Sequence, residues 1–167
     1  MIYKVAITTI FECSLERAFK TPMLCDLSKV HTGLIFMPKV THTTEDENWG
    51  KVGSSKKVQT AKSFWQKGGF ASMDHVVERK ENLYWKIQVD SFQSWILGFS
   101  KFVGEWETKE LAANKIQVIY SYSLHAKQPL LYPFNYLFVH LFWKNYMHQV
   151  LENVRQMAYS QESYLFD

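Results

Sequence analysis

Apolar and polar side chains alternate along this chain with a period that switches three times, and each switch marks a change of element. Over 3–12, "YKVAITTIFE", the residues Tyr3, Val5, Ile7, Thr9 and Phe11 recur at every second position, as in a strand with one buried face. Ser14 suits a helix N-cap, and Glu16 falls in the first turn, where the helix dipole favours a carboxylate. The short helix "SLERAFK" is expected to end near Pro22, and a second helical stretch covers about 23–30. Gly33 and Pro38 then mark loop and turn.

Period two returns from about 39 to 126 and predicts strands over 39–45, 51–61, 69–80, 83–92, 99–111 and 115–126. Their separators are turn-like: Asn48-Trp49-Gly50, Lys67-Gly68-Gly69, Glu81-Asn82 and Ala112-Ala113-Asn114. Connections this short imply an antiparallel meander, since parallel strands need long crossovers. In the last strand Ile116, Val118, Tyr120, Tyr122 and Leu124 oppose Gln117, Ser121 and Ser123, with Ile119 out of pattern. Leu83, Trp85, Ile87 and Val89 likewise oppose Lys86, Gln88 and Asp90, and Phe102, Gly104 and Trp106 oppose Glu105 and Glu107. One sheet face is therefore apolar and rich in Trp and Tyr; the other is charged.

After Pro129 and Pro133 the period lengthens to that of one long helix, running to about 159. Its stripe is Tyr136, Val139, Trp143, Met147, Val150, Val154 and Met157. The first half carries a second apolar face, Phe134, Phe138 and Leu141, which continues into the polar Asn145, His148 and Glu152. One sheet covers only one face. The second is expected to meet loops at a tunnel mouth, a second copy of the chain, or a membrane surface. A transmembrane span is not expected, because Pro129, Pro133, Asn135, His140, Lys144 and Asn145 interrupt the apolar run.

Composition narrows the classes. At 167 residues the chain is expected to be a single domain, 1–167, and 47% hydrophobic against 21% charged residues excludes disorder. Aromatics reach 16%, which suits a large core or a cavity walled by broad, rigid rings. The formal charge is +3, and only Arg17, Arg79 and Arg155 are arginines. With no basic cluster beyond Lys56-Lys57, nucleic acid is not an expected partner. Cys13 and Cys25 form no ligand pattern and are expected as free thiols, Cys25 as a small core residue. The first residues alternate like a strand and lack a signal peptide's apolar run, so a cytoplasmic location is expected.

No residue pattern announces chemistry. Among the histidines (His31, His42, His75, His125, His140 and His148) only His140 and His148 share the long helix, too far apart for a metal pair. Neither a metal nor a cofactor is expected. "GKVGSS" lacks the ending of a phosphate loop, and its glycines fit a hairpin better.

The order of elements resembles the helix-grip arrangement of the START-like (SRPBCC, Bet v 1-like) superfamily, and three local stretches support the resemblance. "FECSLERAF" (11–19) is similar to that family's approach to its first helix, "WGKVGSSKKV" (49–58) to its Gly-x-Val-Gly-Ser stretch, and "PKV" (38–40) to the Pro before its second strand. The resemblance implies an α+β helix-grip fold: a curved antiparallel seven-stranded sheet around a long C-terminal helix, with two short helices after strand 1. It also implies an apolar tunnel between sheet and helix, and no universal catalytic residue. Known members include polyketide cyclases and proteins that bind lipids or quinones.

Alternation places Trp85, Trp106, Tyr120 and Tyr122 on the tunnel side of the sheet, and the helix stripe adds Tyr136, Val139, Trp143 and Met147. His75, Arg79, Lys56 and Asp74 are the ionisable residues that reach the tunnel if their strand parity allows; His75 does so if it shares a face with Met73 and Val77. The first expected function is binding or transport of a small hydrophobic ligand such as a lipid, isoprenoid, quinone or aromatic polyketide. The alternatives are a cyclase or dehydratase working in the same cavity through His75, Arg79 or Tyr122, and a module that docks to a partner protein, a second copy or a membrane through Phe134, Phe138 and Leu141.

Overall fold

Seven strands form where the alternation is strongest. A computed structural model describes residues 1–35, 37–63, 66–93 and 98–166. β1 (Ile2–Phe11) leads into α1 (Leu15–Leu24) and α2 (Leu27–Val30). Six strands follow: β2 (Val40–Glu45), β3 (Ser55–Thr60), β4 (Gly69–Lys80), β5 (Tyr84–Asp90), β6 (Phe99–Ala112) and β7 (Lys115–Ala126). The sheet order is β1-β7-β6-β5-β4-β3-β2 and every pairing is antiparallel. β1 and β2 thus lie on opposite edges, and α1 and α2 bridge them. Bulges in the β2–β3, β3–β4, β4–β5 and β6–β7 ladders bend the sheet around the C-terminal helix. This is the helix-grip fold.

β3 begins at Ser55 rather than 51, because Asp46 organises the preceding residues into a turn. Its carboxylate accepts the Asn48 and Ser55 backbone N–H groups, at 3.0 and 2.6 Å. Gly53 takes a φ of 89° there, and its N–H donates to Val76 O at 2.9 Å, tying the turn to β4.

α1 does not stop at Pro22; it continues to Leu24. Proline lacks the N–H that would have satisfied the Ala18 carbonyl one turn earlier. The Trp106 indole supplies the missing donor, with Nε1 donating to Ala18 O at 3.0 Å. Two more indoles follow suit: Trp85 Nε1 donates to Phe19 O and Trp49 Nε1 to Met23 O, both at 2.9 Å. The helix survives its proline because the sheet completes its hydrogen bonding.

The C-terminal helix is not uniform either. A 3-10 turn (Pro129–Leu131) and α3 (Tyr132–Leu137) precede a π-helical stretch, Phe138–Trp143, and α4 (Lys144–Tyr159). A π turn bonds i to i+5, so residues five apart share a face. Phe138 and Trp143 therefore both turn inward, and Phe138 is only 7% exposed, its ring 5.8 Å from that of Phe99. The expected patch Phe134–Phe138–Leu141 loses its middle member; Phe134 and Leu141 stay exposed, joined by Leu130 and Leu137. Tyr136 also leaves the core stripe, at 48% exposed, and the inward position goes to Asn135. Cys25 is buried and Cys13 half-buried, both free.

Trp106→Phe strands the buried Ala18 carbonyl and is expected to lower stability by about 1–3 kcal/mol in urea unfolding. Pro22→Ala restores a donor at that carbonyl, so it should stabilise the Trp106→Phe background more than the wild type. Equal effects in both backgrounds would contradict this account of the helix.

Candidate functional site

Between the concave face and α4 the core does not close. A cavity of about 150 Å³ remains, partly open to the surface. Its sheet wall is Trp85, Phe102, Trp106, Tyr120 and Tyr122, and its helix wall is Trp143, Tyr146 and Val150. The rings touch in sequence: Trp106–Tyr120 at 5.2 Å, Tyr120–Tyr122 at 5.4 Å and Tyr122–Trp143 at 5.1 Å between centroids. Contacts of this kind add stiffness beyond the area they bury.

Gly104 helps keep the space open. A Cβ at this position would lie 2.8 Å from Cζ of Tyr122, so the phenol ring rests directly on the β6 backbone. Any larger residue would drive that ring away from the sheet.

The polar end of the cavity is built on β3 and β4. Lys56 and Asp74 are register partners on these strands, and both side chains are inward, at 3% and 7% exposed. No ion pair within 4.0 Å joins them among the described residues. Instead Lys56 Nζ sits 4.0 Å from the centre of the Trp49 ring. Burial pushes the Lys56 amine below its usual value, with Asp74 and Glu45 opposing. Burial pushes the Asp74 carboxyl up to about 6, against the pull of Lys56.

His31 closes this end, its Nδ1 2.7 Å from the Tyr146 hydroxyl. Burial, with the nearby Lys56 charge adding to it, pushes His31 down to about 3, so the imidazole is neutral. Burial raises Tyr120, Tyr122 and Tyr146 far above the usual phenol value, leaving three neutral hydroxyls.

Of the residues expected from sequence, Trp85, Trp106, Tyr120, Tyr122 and Trp143 come together on the cavity wall. Val139 and Met147 are fully buried in the core but do not line the space. Tyr136 lies outside, its ring 4.3 Å from that of His140. His75 is also displaced from its expected place. The inward residues of β4 are Ser72, Asp74 and Val76, so His75 projects from the opposite face, 3.4 Å from Asp90. Arg79 follows the β4 bulge between Val76 and Glu78 and lies over the Trp85 ring at 4.5 Å, with its guanidinium donating to Gly50 O. It braces the end of the sheet rather than the cavity.

Lys56 and Asp74 were legible only as undecided parity, and His31 and Tyr146 had no signal at all. His31 follows a four-residue helix, and Tyr146 lies off the expected stripe. Among the described residues no group of three or more His, Cys, Asp or Glu is placed to hold a metal ion, and no helix is long and apolar enough to cross a membrane.

No protein-family model matches the chain, and no curated protein matches it in sequence. Solved structures do match. Ara h 8.0201 is similar with a TM-score of 0.71 and 12% identity, over 96% of this chain and 99% of that one. A Staphylococcus aureus protein of unknown function gives 0.73 and 14%, over 96% of each chain. Norcoclaurine synthase from Thalictrum flavum, in complex with dopamine and hydroxybenzaldehyde, gives 0.65 and 10%, over 98% of this chain and 90% of that one. At these identities the likeness is one of fold: the chain has the Bet v 1-like, START-like architecture.

Two of the perturbed groups at the polar end, Asp74 and His31, act on stability with opposite sign. Asp74 holds a proton in the folded state between about pH 4 and 6, where the unfolded chain has lost it, so its contribution falls as pH rises through 6. His31 is neutral in the folded state above about 3, while the unfolded chain stays protonated up to about pH 6.5, so its contribution rises with pH. Asp74→Asn removes the falling part alone. Its stability relative to wild type should climb by about 1.4 kcal/mol per pH unit between about pH 4 and 6 in urea unfolding. His31→Gln should give the opposite slope, and a flat difference for either variant would refute its shift.

Proposed function

We propose that this chain binds a small molecule with an apolar body and one polar group, held in the cavity between the sheet and α4. The observation that carries the reading is the unfilled space itself. Protein interiors pack to the density of organic crystals. A space of about 150 Å³ between the sheet and α4, partly open to the surface, departs from that packing. Aromatic walls and the nearby Lys56, Asp74 and three phenols support a ligand site over a packing fault.

Its size sets the ligand. A dry cavity of about 150 Å³ is enough for benzene, so a single ring or a short chain fits. An aromatic polyketide or isoprenoid requires the walls to move apart. The fold neighbour solved with dopamine and hydroxybenzaldehyde holds molecules of the smaller size. Burying one ring removes about 150 Å² from water, worth roughly 4 kcal/mol, which alone gives only millimolar affinity. Useful binding therefore needs the polar end, where Lys56 donates, Asp74 accepts or donates, and the tyrosine hydroxyls do either.

A second reading, acid–base chemistry of the cyclase or dehydratase kind on the bound molecule, is favoured by Asp74. A carboxyl pushed up to about 6 both gives and takes protons near neutrality. The candidate groups for that reading become Asp74 and Tyr122 in place of His75 and Arg79.

Benzyl alcohol and phenol titrated into the isotope-labelled chain should give saturable amide shifts centred on β4, β7 and α4. Gly104→Ala pushes the Tyr122 ring into the space and should weaken that binding by about tenfold, the equivalent of roughly 1.4 kcal/mol. If neither compound produces a saturable shift, the cavity reading fails.

A further inference from the structure

The polar end of the cavity contains an unusual juxtaposition. Lys56 and Asp74 face each other directly across the β3–β4 ladder, and both point into the cavity. Directly opposed residues of an antiparallel pair have Cβ atoms about 4.5–5.5 Å apart, so an ion pair between them is easily made. The two heads stay more than 4.0 Å apart, and no ion pair among the described residues involves either of them. Lys56 Nζ rests instead against the Trp49 ring. A primary amine and a carboxyl thus flank an open gap at the end of an apolar chamber.

The geometry points to Lys56 as a covalent attachment site for small aldehydes or ketones, whose carbonyl carbon enters this gap and condenses with the amine to an imine. This rests on the cavity being a ligand site, and it adds both a reaction and a ligand class. Two features of the surroundings fit. The body of a one-ring carbonyl compound occupies the aromatic chamber while its carbonyl reaches the β3–β4 end. Burial lowers the proton affinity of the amine, so more of it is the nucleophilic free base than in an ordinary lysine, although Asp74, Glu45 and the Trp49 ring favour the ammonium.

The chemistry balances with the groups present. The Nζ lone pair forms a bond to the carbonyl carbon, and the C=O π pair moves to oxygen. That oxygen takes a proton from Asp74, and the new ammonium nitrogen returns one to the carboxylate. In the second step Asp74 protonates the hydroxyl of the carbinolamine, which leaves as water while the nitrogen lone pair forms C=N. The remaining N–H proton goes back to Asp74. One amine and one carbonyl yield one imine and one water, with no change of oxidation state. A carboxyl pushed up to about 6 serves both directions of this traffic more readily than an ordinary aspartate.

Benzaldehyde with sodium cyanoborohydride at neutral pH is the test, because reduction traps the imine as a stable benzyl amine. Intact mass should show one benzyl group added early, and peptide mapping should place it on Lys56 ahead of the other lysines. Benzyl alcohol, which has the same body and no electrophile, should protect Lys56 in proportion to its occupancy. Asp74→Asn should slow trapping at Lys56 by roughly a hundred-fold; if that variant does not fold, protection by benzyl alcohol in the wild type decides the matter. Labelling of Lys56 no faster than of surface lysines, in a chain that binds benzyl alcohol, overturns the imine inference and leaves the cavity reading standing. Absence of both binding and selective labelling overturns the two together.

Discussion

Three indole N–H groups bonded to carbonyls of one short helix hold this molecule in register. Trp49, Trp85 and Trp106 come from the turn before β3, from β5 and from β6, and they converge on Met23, Phe19 and Ala18 of α1. These bonds are buried, where an unmade partner is expensive. They fix α1 over one end of the sheet, with the Phe19 ring stacked on Trp85 at 5.0 Å. Pro22 makes the arrangement mutual: the helix has a carbonyl to offer because of its proline, and it tolerates the proline because of Trp106. With α1 and α2 anchored there, Met23, Leu27 and His31 stand where they close one side of the cavity.

The same rigidity explains how a polar cluster persists at the end of an apolar chamber. Taking charges out of water costs several kcal/mol each unless geometry and hydrogen bonds repay it. Here burial moves Lys56, Asp74 and His31 toward their neutral forms instead. The His31–Tyr146 contact joins the α2 end to α4, so the polar groups also fasten the helix across the sheet. Structure and site share residues, and the cavity is bounded by side chains with little freedom to collapse into it.

The C-terminal helix solves a different problem. A regular helix would have turned Phe138 away from the sheet, whereas the π-helical stretch brings it and Trp143 to the same side. The aromatic excess of this segment thus serves the grip more than its simple periodicity implied. Phe134, at 62% exposed, and the exposed Tyr132 and Tyr136 are aromatic residues of this segment that the fold leaves outside, together with Leu130, Leu137 and Leu141.

Local pattern was enough to place seven strands, two short helices and a long C-terminal helix. Period-two alternation survives folding wherever one sheet face is buried and the other wet, and it named Trp85, Trp106, Tyr120 and Tyr122 as inward residues. It did not decide β4. Ser72, Asp74 and Val76 compete there with Met73, His75 and Val77, and neither set is wholly apolar. Parity was settled by pairing with β3 and β5, long-range contacts that leave no mark on composition. The continuation of α1 past Pro22 likewise needed a donor 84 positions away in Trp106, and the inward turn of Phe138 needed a hydrogen-bond pattern that 3.6-residue periodicity excludes. Sequence alone determined which faces are apolar; tertiary structure decided which polar groups are trapped among them, because only the closed sheet says what stands opposite.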